Sequence, residues 1–201
     1  MRGMETLVHE IAAAAARLVV EDGLDYGSAK RRAGQQLGAP PRTALPDNAL
    51  VEAEVRSYLA LFCADTQPAE LAALRRLALV WMERLAAFRP YVTGAVWNGT
   101  ATARNDIHLQ LFCDDPKSAE IALIDRGVRY QAQTVRGFHG GDVAVLSLTS
   151  ACPELQQEIG VHLAIHDHDD LRGALRPGPD GRAMRGDARA LLQRMAEGQG
   201  E

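Results

Sequence analysis

Three side chains that can ligate a metal ion lie on two predicted strands in the second half of the chain. Asp106 opens the strand "DIHLQLF" and His108 follows two residues later, so both side chains face the same side of that strand. His162 lies inside the later strand "IGVHLAIHD". If the two strands are neighbours in a sheet, both imidazoles meet with the Asp106 carboxylate nearby. That mixture of nitrogen and oxygen donors suits Zn²⁺, Ni²⁺ or Mn²⁺ better than Mg²⁺.

The same histidines also have an ordinary structural interpretation. Alternate residues of the first strand, from Ile107 to Leu111, are apolar and face the core, which leaves His108 on the opposite face. A hydrogen-bonded histidine in that position needs no metal. The His and Asp residues that close "HLAIHDHDD" are typical of a solvated turn, and histidines on such a surface titrate near neutral pH.

Candidate nucleophiles are less evident. The sequence shows no recognisable Ser-His-Asp or Cys-His pattern. Cys113 is a poor candidate because it stands beside Asp114, and a neighbouring carboxylate raises the pKa of a thiol. The cysteines Cys63, Cys113 and Cys152 are widely spaced and form no CxxC or Cys/His finger pattern. We therefore expect free, mostly buried thiols in a reducing cytosol.

The elements that position these residues follow an N-terminal series of helices. Pro40, Pro41 and Pro46 predict a loop between the second and third helix, because proline cannot continue a helix. Apolar residues at helical spacing in the fourth helix, among them Leu74 and Trp81, predict one buried face. The four predicted helices are "METLVHEIAAAAARLVVEDG", "DYGSAKRRAGQQLG", Ala49 to Phe62 and "PAELAALRRLALVWMERLAAF".

After Pro90 the apolar pattern changes from the helical period to the alternation of strands. Pro116 and Gly127 delimit one further helix, "DPKSAEIALIDRG", since proline favours the first turn and glycine the C-terminal end. The connection "VRGFHGG" joins the third strand to the fourth, and the loop "RPGPDGRAM" precedes a closing helix. The predicted strands are "YVTGAVW", "DIHLQLF", "VRYQAQT", "GDVAVLSLTS" and "IGVHLAIHD", and the closing helix is "DARALLQRMAEG".

This order of elements predicts an α+β fold. A four-helix N-terminal part precedes a small mixed sheet. We predict an N-terminal helical region over residues 1–67 and an α/β domain over residues 68–201. The boundary is soft because the helix at 68–88 is shared between the two.

Bulk composition limits the function. The chain has 201 residues with 22 Lys and Arg against 26 Asp and Glu, a net charge of −4. This charge argues against bulk nucleic-acid binding, which needs a basic face. No run reaches the roughly 18 apolar residues of a membrane span, and the N-terminus lacks the pattern of a signal peptide. We therefore expect a soluble, cytoplasmic protein with no membrane association.

A strand, a Gly-Thr turn and a second strand that opens with a carboxylate resemble the start of the nucleotidyltransferase superfamily. The resemblance runs through "AVWNGTATARNDIHLQLF" and on to "GVHLAIHD". The chain as a whole also resembles a group of small uncharacterised proteobacterial nucleotidyltransferase-like proteins. The segments that carry this second resemblance are "DYGSAKRRAGQQLG", "ALPDNALVEAEVRSY", the Gly-Thr loop leading into "HLQLF", "IDRGV" and "PDGRAM".

The superfamily resemblance implies an in-line displacement at phosphorus that metal ions stabilise. It implies that the turn Gly99-Thr100 contacts the phosphates of a nucleotide. It also implies that Asp106 is the catalytic carboxylate and first metal ligand. His108 and His162 occupy the places of the second and third metal carboxylates without matching their type. Imidazole is a poor ligand for Mg²⁺, so the departure puts catalysis in doubt.

Two functional hypotheses follow from this resemblance. The first is a catalytically degenerate nucleotidyltransferase-fold protein that binds a nucleotide, a metabolite or a protein partner. The alternative is an active metal-dependent nucleotidyltransferase that uses Mg²⁺, Mn²⁺ or Zn²⁺ on a small-molecule, RNA or protein acceptor. The missing carboxylates favour the first hypothesis over the second.

Overall fold

The structure is a computed structural model that describes residues 2–40, 42–137, 141–178 and 181–198. Pro41 and parts of the predicted connections "VRGFHGG" and "RPGPDGRAM" lie outside the described residues. The chain divides into two units, Met1–Pro68 and Ala69–Glu201.

The first unit is helical and has its own core. Asp25 accepts a hydrogen bond from the backbone N–H of Ser28, and Asp47 accepts one from Leu50. Each satisfies a donor that has no partner inside its helix, so the aspartates fix where two helices begin. Alanines of the first helix pack against aliphatic residues of the third. The helices are α1 (Arg2–Asp22), α2 (Tyr26–Gln36) and α3 (Asn48–Phe62).

The second unit mixes helices and strands. Its helices are α4 (Gln67–Arg84), which begins just before the unit boundary, α5 (Gly94–Asn98), α6 (Pro116–Asp125), α7 (Leu171–Ala174) and α8 (Ala188–Glu197). Its strands are β1 (Tyr91–Thr93), β2 (Ile107–Phe112), β3 (Gln131–Arg136), β4 (Asp142–Cys152), β5 (Gln157–His166) and β6 (Arg185–Gly186). In the described ranges, none of the helices has the length and apolar character needed to cross a bilayer.

The described strands form one mixed six-stranded sheet in the order β3-β4-β5-β2-β1-β6. β2 and β5 run parallel, and the other neighbouring strands pair antiparallel. The parallel pairing sets His108 directly opposite His162. The predicted α+β class with a mixed sheet is therefore confirmed.

The two faces of this sheet differ in character. On one face the alternate residues of β2 and β5, such as Leu109 and Leu163, form a core with Leu74 and Trp81 of α4 and Leu191 of α8. On the opposite face, cross-strand partners form a polar row that crosses all six strands. The members of this polar row, in sheet order, are Gln131, Ser147, His162, His108, Thr93 and Arg185.

The predicted strand "YVTGAVW" is wrong in its second half. Only β1 is extended, and the residues after it form the short helix α5. Gly94 has a φ of 68°, a left-handed conformation that ends the strand. Val96 and Trp97 are both buried, although neighbouring residues of a strand would point to opposite faces. Tertiary burial therefore overrides the local alternation.

The predicted four-helix N-terminal part is not confirmed as one unit. Leu74, Trp81 and Met82 of α4 are buried with the sheet residues Ile107 and Val161. By contrast, α1, α2 and α3 bury their apolar faces in a separate core. The fourth predicted helix therefore packs against the sheet and not in the core of α1, α2 and α3.

Candidate functional site

Ser147, His162 and Asp106 are joined by hydrogen bonds on the polar face of the sheet. Oδ2 of Asp106 lies 3.0 Å from Nε2 of His162. The other ring nitrogen of His162, Nδ1, lies 2.8 Å from Oγ of Ser147. In a neutral imidazole the carboxylate, which can only accept, fixes the proton on Nε2, so Nδ1 accepts from the Ser147 hydroxyl. We call this chain of hydrogen bonds the Ser147–His162–Asp106 relay.

Sheet register brings these three residues together. Ser147 of β4 and His162 of β5 are direct cross-strand partners. Asp106 immediately precedes β2, whose first residue, Ile107, pairs with Val161. Asp106 therefore lies beside Gly160, two residues before His162, and its side chain reaches the His162 ring from that side.

Gly160 holds the Asp106 carboxylate in place. The backbone N–H of Gly160 donates to Oδ1 of Asp106 at 3.1 Å. A Cβ atom at position 160 would lie 2.6 Å from Cγ of Asp106. Glycine at this position therefore leaves the space that the carboxylate occupies, and both carboxylate oxygens have a donor.

His108 lies beside the relay and is not part of its hydrogen bonds. Its ring stacks on that of His162, with centroids 4.9 Å apart and planes inclined by 21°. Across the described part of the chain, neither ring nitrogen of His108 has a hydrogen-bond partner. Part of the ring reaches solvent. Even so, desolvation of the charged imidazolium by the surrounding protein lowers the pKa of His108, and the nearby His162 lowers it further. The negative charge of Asp106 opposes both effects. His108 is therefore neutral at pH 7.

The relay opens onto a groove of about 620 Å³. Asp106, Ser147 and His162 form part of its wall, and Arg129 contributes a positive charge. The polar residues Gln131 and Thr149 also line it. The groove thus offers hydrogen-bond donors and one cation around the relay. We call it the relay groove.

The predicted phosphate turn Gly99-Thr100 lies at the C-terminal end of α5. The backbone N–H groups of both residues donate to the carbonyl of Ala95, at 2.9 and 3.0 Å. Thr100 is 4% exposed, and its hydroxyl has no hydrogen-bond partner in the described ranges. In this arrangement the two N–H groups close the helix, and the hydroxyl faces the interior.

Several residues in or near the relay were missed by the sequence analysis, among them Ser147, Gly160 and Gly94. Ser147 belongs to the alternating segment "GDVAVLSLTS", but nothing local shows that it pairs with His162. Gly94 opens α5, and a Cβ there would lie 3.9 Å from Cδ2 of His108. A glycine inside a predicted strand is a signal of close approach or a bulge, and that signal could have located Gly94.

The predicted metal ligands converge, but they do not form a metal cage. His108, His162 and Asp106 share one patch of the sheet. Nevertheless, among the residues that the structure describes, no group of three or more His, Cys, Asp or Glu side chains could hold a metal ion. Both ring nitrogens of His162 are engaged by Asp106 and Ser147. His162 could ligate a metal only after one of these hydrogen bonds is broken.

The later histidines of "HLAIHDHDD" do not extend this patch. β5 ends at His166, and His168 belongs to a short 3₁₀ turn. His166 is buried and its ring stacks on Phe112, with centroids 5.4 Å apart. The strand therefore does not continue to His168, and the His and Asp residues after it lie in a turn, as the sequence predicts.

Comparisons with known proteins give little support for any family. No protein-family model matches the chain, and no curated protein matches it. Among solved structures, the chain is similar to the Cid1 poly(U) polymerase, determined with MgGTP bound, at 12% identity and a TM-score of 0.35. The match covers 48% of this chain and 32% of the polymerase. It is weak, and nothing supports the resemblance to the proteobacterial group.

Proposed function

We propose that the Ala69–Glu201 unit is a nucleotidyltransferase-type domain that has lost metal-dependent catalysis and binds a nucleotide or another small anionic metabolite. One observation carries this proposal. The three sheet positions that the sequence resemblance assigns to metal carboxylates hold one carboxylate and two stacked imidazoles. The proposed binding surface is the relay groove.

The hydrogen bonds of Asp106 argue against metal-dependent transfer. That chemistry requires divalent ions held by oxygen ligands on either side of a phosphorus centre. Oδ1 of Asp106 accepts from Gly160, and Oδ2 accepts from His162. A metal ion would have to displace these donors and would find imidazoles where further oxygen ligands are needed.

The relay groove has the size and polarity for a small anionic ligand. Its volume of about 620 Å³ falls within the range of small-molecule sites, roughly 300–1,000 Å³. Arg129 lines it together with Gln131 and Thr149. A guanidinium with neighbouring neutral donors favours phosphate or carboxylate groups.

An active metal-dependent nucleotidyltransferase remains the second candidate. The observation in its favour is that Asp106, His108 and His162 lie on one patch of the sheet. Such a set would select Zn²⁺ or Mn²⁺ over Mg²⁺. The acceptor would be a small molecule, an RNA end or a protein side chain.

A thermal-shift experiment tests binding. The full chain is heated with each nucleoside triphosphate and monophosphate, alone and with Mg²⁺, Mn²⁺ or Zn²⁺. A ligand that binds only the folded state stabilises it by about 2.7 kcal/mol at a hundredfold excess over Kd. We expect a rise in Tm that needs no metal and that Arg129→Ala abolishes.

Matched variants separate binding from changes in net charge. Arg172 is exposed in α7 and lies outside the lining of the relay groove, so Arg172→Ala should keep the shift. A shift that survives Arg129→Ala, or the absence of any shift with nucleotides and other phosphorylated metabolites, contradicts the proposal. Transfer of labelled nucleotide that depends on Zn²⁺ or Mn²⁺, and that Asp106→Ala abolishes, establishes the second candidate instead.

A further inference from the structure

We propose that Ser147 is a nucleophile, activated by His162 and oriented through Asp106, that hydrolyses small esters carrying an anionic group. The inference goes beyond the proposed binding function, because it requires neither a metal ion nor a nucleotide. It depends on the hydrogen bonds of the relay and on the groove into which the relay opens.

The direction of the hydrogen bonds makes Nδ1 of His162 a base toward Ser147. Asp106 accepts from Nε2 at 3.0 Å, which selects the tautomer with its proton on that nitrogen. The lone pair of Nδ1 then faces Oγ of Ser147 at 2.8 Å. A nucleophile hydrogen-bonded to a base, which a third group orients in turn, is the arrangement that activates serine. Such sets are recognised by geometry and roles and not by order along the chain.

The backbone holds the members of the relay in fixed positions. Ser147 and His162 lie in the interior of β4 and β5 and are paired by register. Asp106 is anchored by the N–H of Gly160. A side chain at position 160 would occupy the space of the carboxylate. The position of the Asp106 carboxylate, which orients His162, therefore depends on glycine at position 160.

The relay is accessible, and its surroundings suggest a substrate class. The side chain of Asp106 is 49% exposed and that of His162 is 26% exposed. Ser147 is half-buried in the wall of the relay groove. Arg129 and Gln131 line the same groove. They are candidate donors both to the oxyanion that forms on an attacked carbonyl and to an anionic group elsewhere on the ester.

The reaction balances with water as its only co-reactant. Oγ of Ser147 bonds to the carbonyl carbon while its proton moves to Nδ1 of His162. The bond from that carbon to the leaving alcohol oxygen breaks, and His162 returns the proton to the alcohol. Water then attacks the acyl-serine in the same way, which releases the carboxylic acid and restores the Ser147 hydroxyl.

Covalent labelling provides the direct test. The full chain is incubated with a fluorophosphonate probe, whose P–F bond breaks as the serine oxygen bonds to phosphorus and fluoride leaves with the serine proton. Peptide mass spectrometry of the wild-type protein then locates the label without any variant. We expect one phosphonyl group per chain, on Ser147. Failure of the probe to modify Ser147, or modification of other residues alone, overturns the inference.

Variants test the roles of the other two residues. We expect His162→Gln to abolish labelling and Asp106→Asn to slow it at least tenfold. Ser150 lies in the same strand, β4, outside the relay groove lining, so Ser150→Ala serves as the matched control and should label normally. Unchanged labelling of Asp106→Asn would contradict the role of Asp106.

Two further measurements keep this test independent of folding and of ligand binding. Long-range ¹H–¹⁵N spectra should show His162 with its proton on Nε2, and Asp106→Asn should change that tautomer while leaving the resonances of α1 to α3 unchanged. If the wild-type tautomer carries its proton on Nδ1, the proposed base is wrong. Ser147 labelling without a nucleotide shift, or a nucleotide shift without labelling, shows which of the two proposals fails.

Discussion

His108 and His162 are direct cross-strand partners in the parallel pair β2–β5, and their rings stack with centroids 4.9 Å apart. The His162 ring is held by hydrogen bonds at both nitrogens, whereas the His108 ring stacks on it and has a lowered pKa. The two histidines therefore differ in their chemistry because their neighbours differ.

The first prediction concerns stability against pH. The pKa of His108 in the folded state lies below its ordinary value of 6.5, so the unfolded chain binds a proton first as the pH falls. The contribution of His108 is therefore fully present above pH 6.5 and is lost as the pH falls toward the folded-state pKa. Urea midpoints of the wild type and His108→Gln are measured from about pH 8 to about pH 5, and the midpoint of the wild type should fall relative to that of the variant as the pH falls. A difference that is constant with pH would contradict this.

The second prediction concerns Gly160→Ala. The new Cβ displaces the Asp106 carboxylate and removes its hydrogen bonds to Gly160 and His162. Because Asp106 is half-exposed, we expect a stability loss of only about 1 kcal/mol but a large loss of Ser147 reactivity. Gly141→Ala is the matched control, since a Cβ there meets nothing within 4 Å. Equal reactivity in the two variants would show that the position of Asp106 does not matter.

The third prediction concerns Thr100→Val. The Thr100 hydroxyl is buried and has no hydrogen-bond partner in the described part of the chain. Replacing it by a methyl group of similar volume removes an unsatisfied polar atom, so we expect stability to rise by about 1 kcal/mol. Chemical denaturation measures this change. If Thr100 contacts a phosphate, as the sequence resemblance implies, the same variant will instead weaken nucleotide binding.

The fourth prediction concerns Gly186→Ala. A Cβ at this position of β6 would overlap the indole ring of Trp97. That ring is fixed by a 2.6 Å hydrogen bond from Nε1 to the carbonyl of Ala183 and by the Arg194 guanidinium, 3.7 Å from its centroid. We expect a loss of about 1–3 kcal/mol from overpacking, measured by denaturant melts. A loss no greater than that of Gly141→Ala would mean that the indole moves freely.

Local signals in the sequence located most of the helices and strands. Capping aspartates and prolines mark where α2, α3 and α6 begin. Apolar alternation marks β2 and β5. The same alternation fails for α5, because Trp97 and Val96 are both buried by tertiary packing.

The candidate site was only partly predictable. Asp106, His108 and His162 stand out by residue type and spacing, and they do converge. Ser147 does not stand out, because its role depends on a cross-strand register that no local pattern encodes. Gly160 gave only a weak signal as well, because a glycine is needed there only to leave space for the Asp106 carboxylate.

The separation of the relay along the chain has a consequence for folding. Ser147 and His162 are 15 residues apart and meet when a hairpin closes, whereas Asp106 is 56 residues from His162 and joins only when β2 docks beside β5. Closing the longer loop costs more entropy and is slower. During refolding we therefore expect Ser147 and His162 to pair first and Asp106 to join them last. The appearance of Ser147 reactivity would then report when β2 docks beside β5.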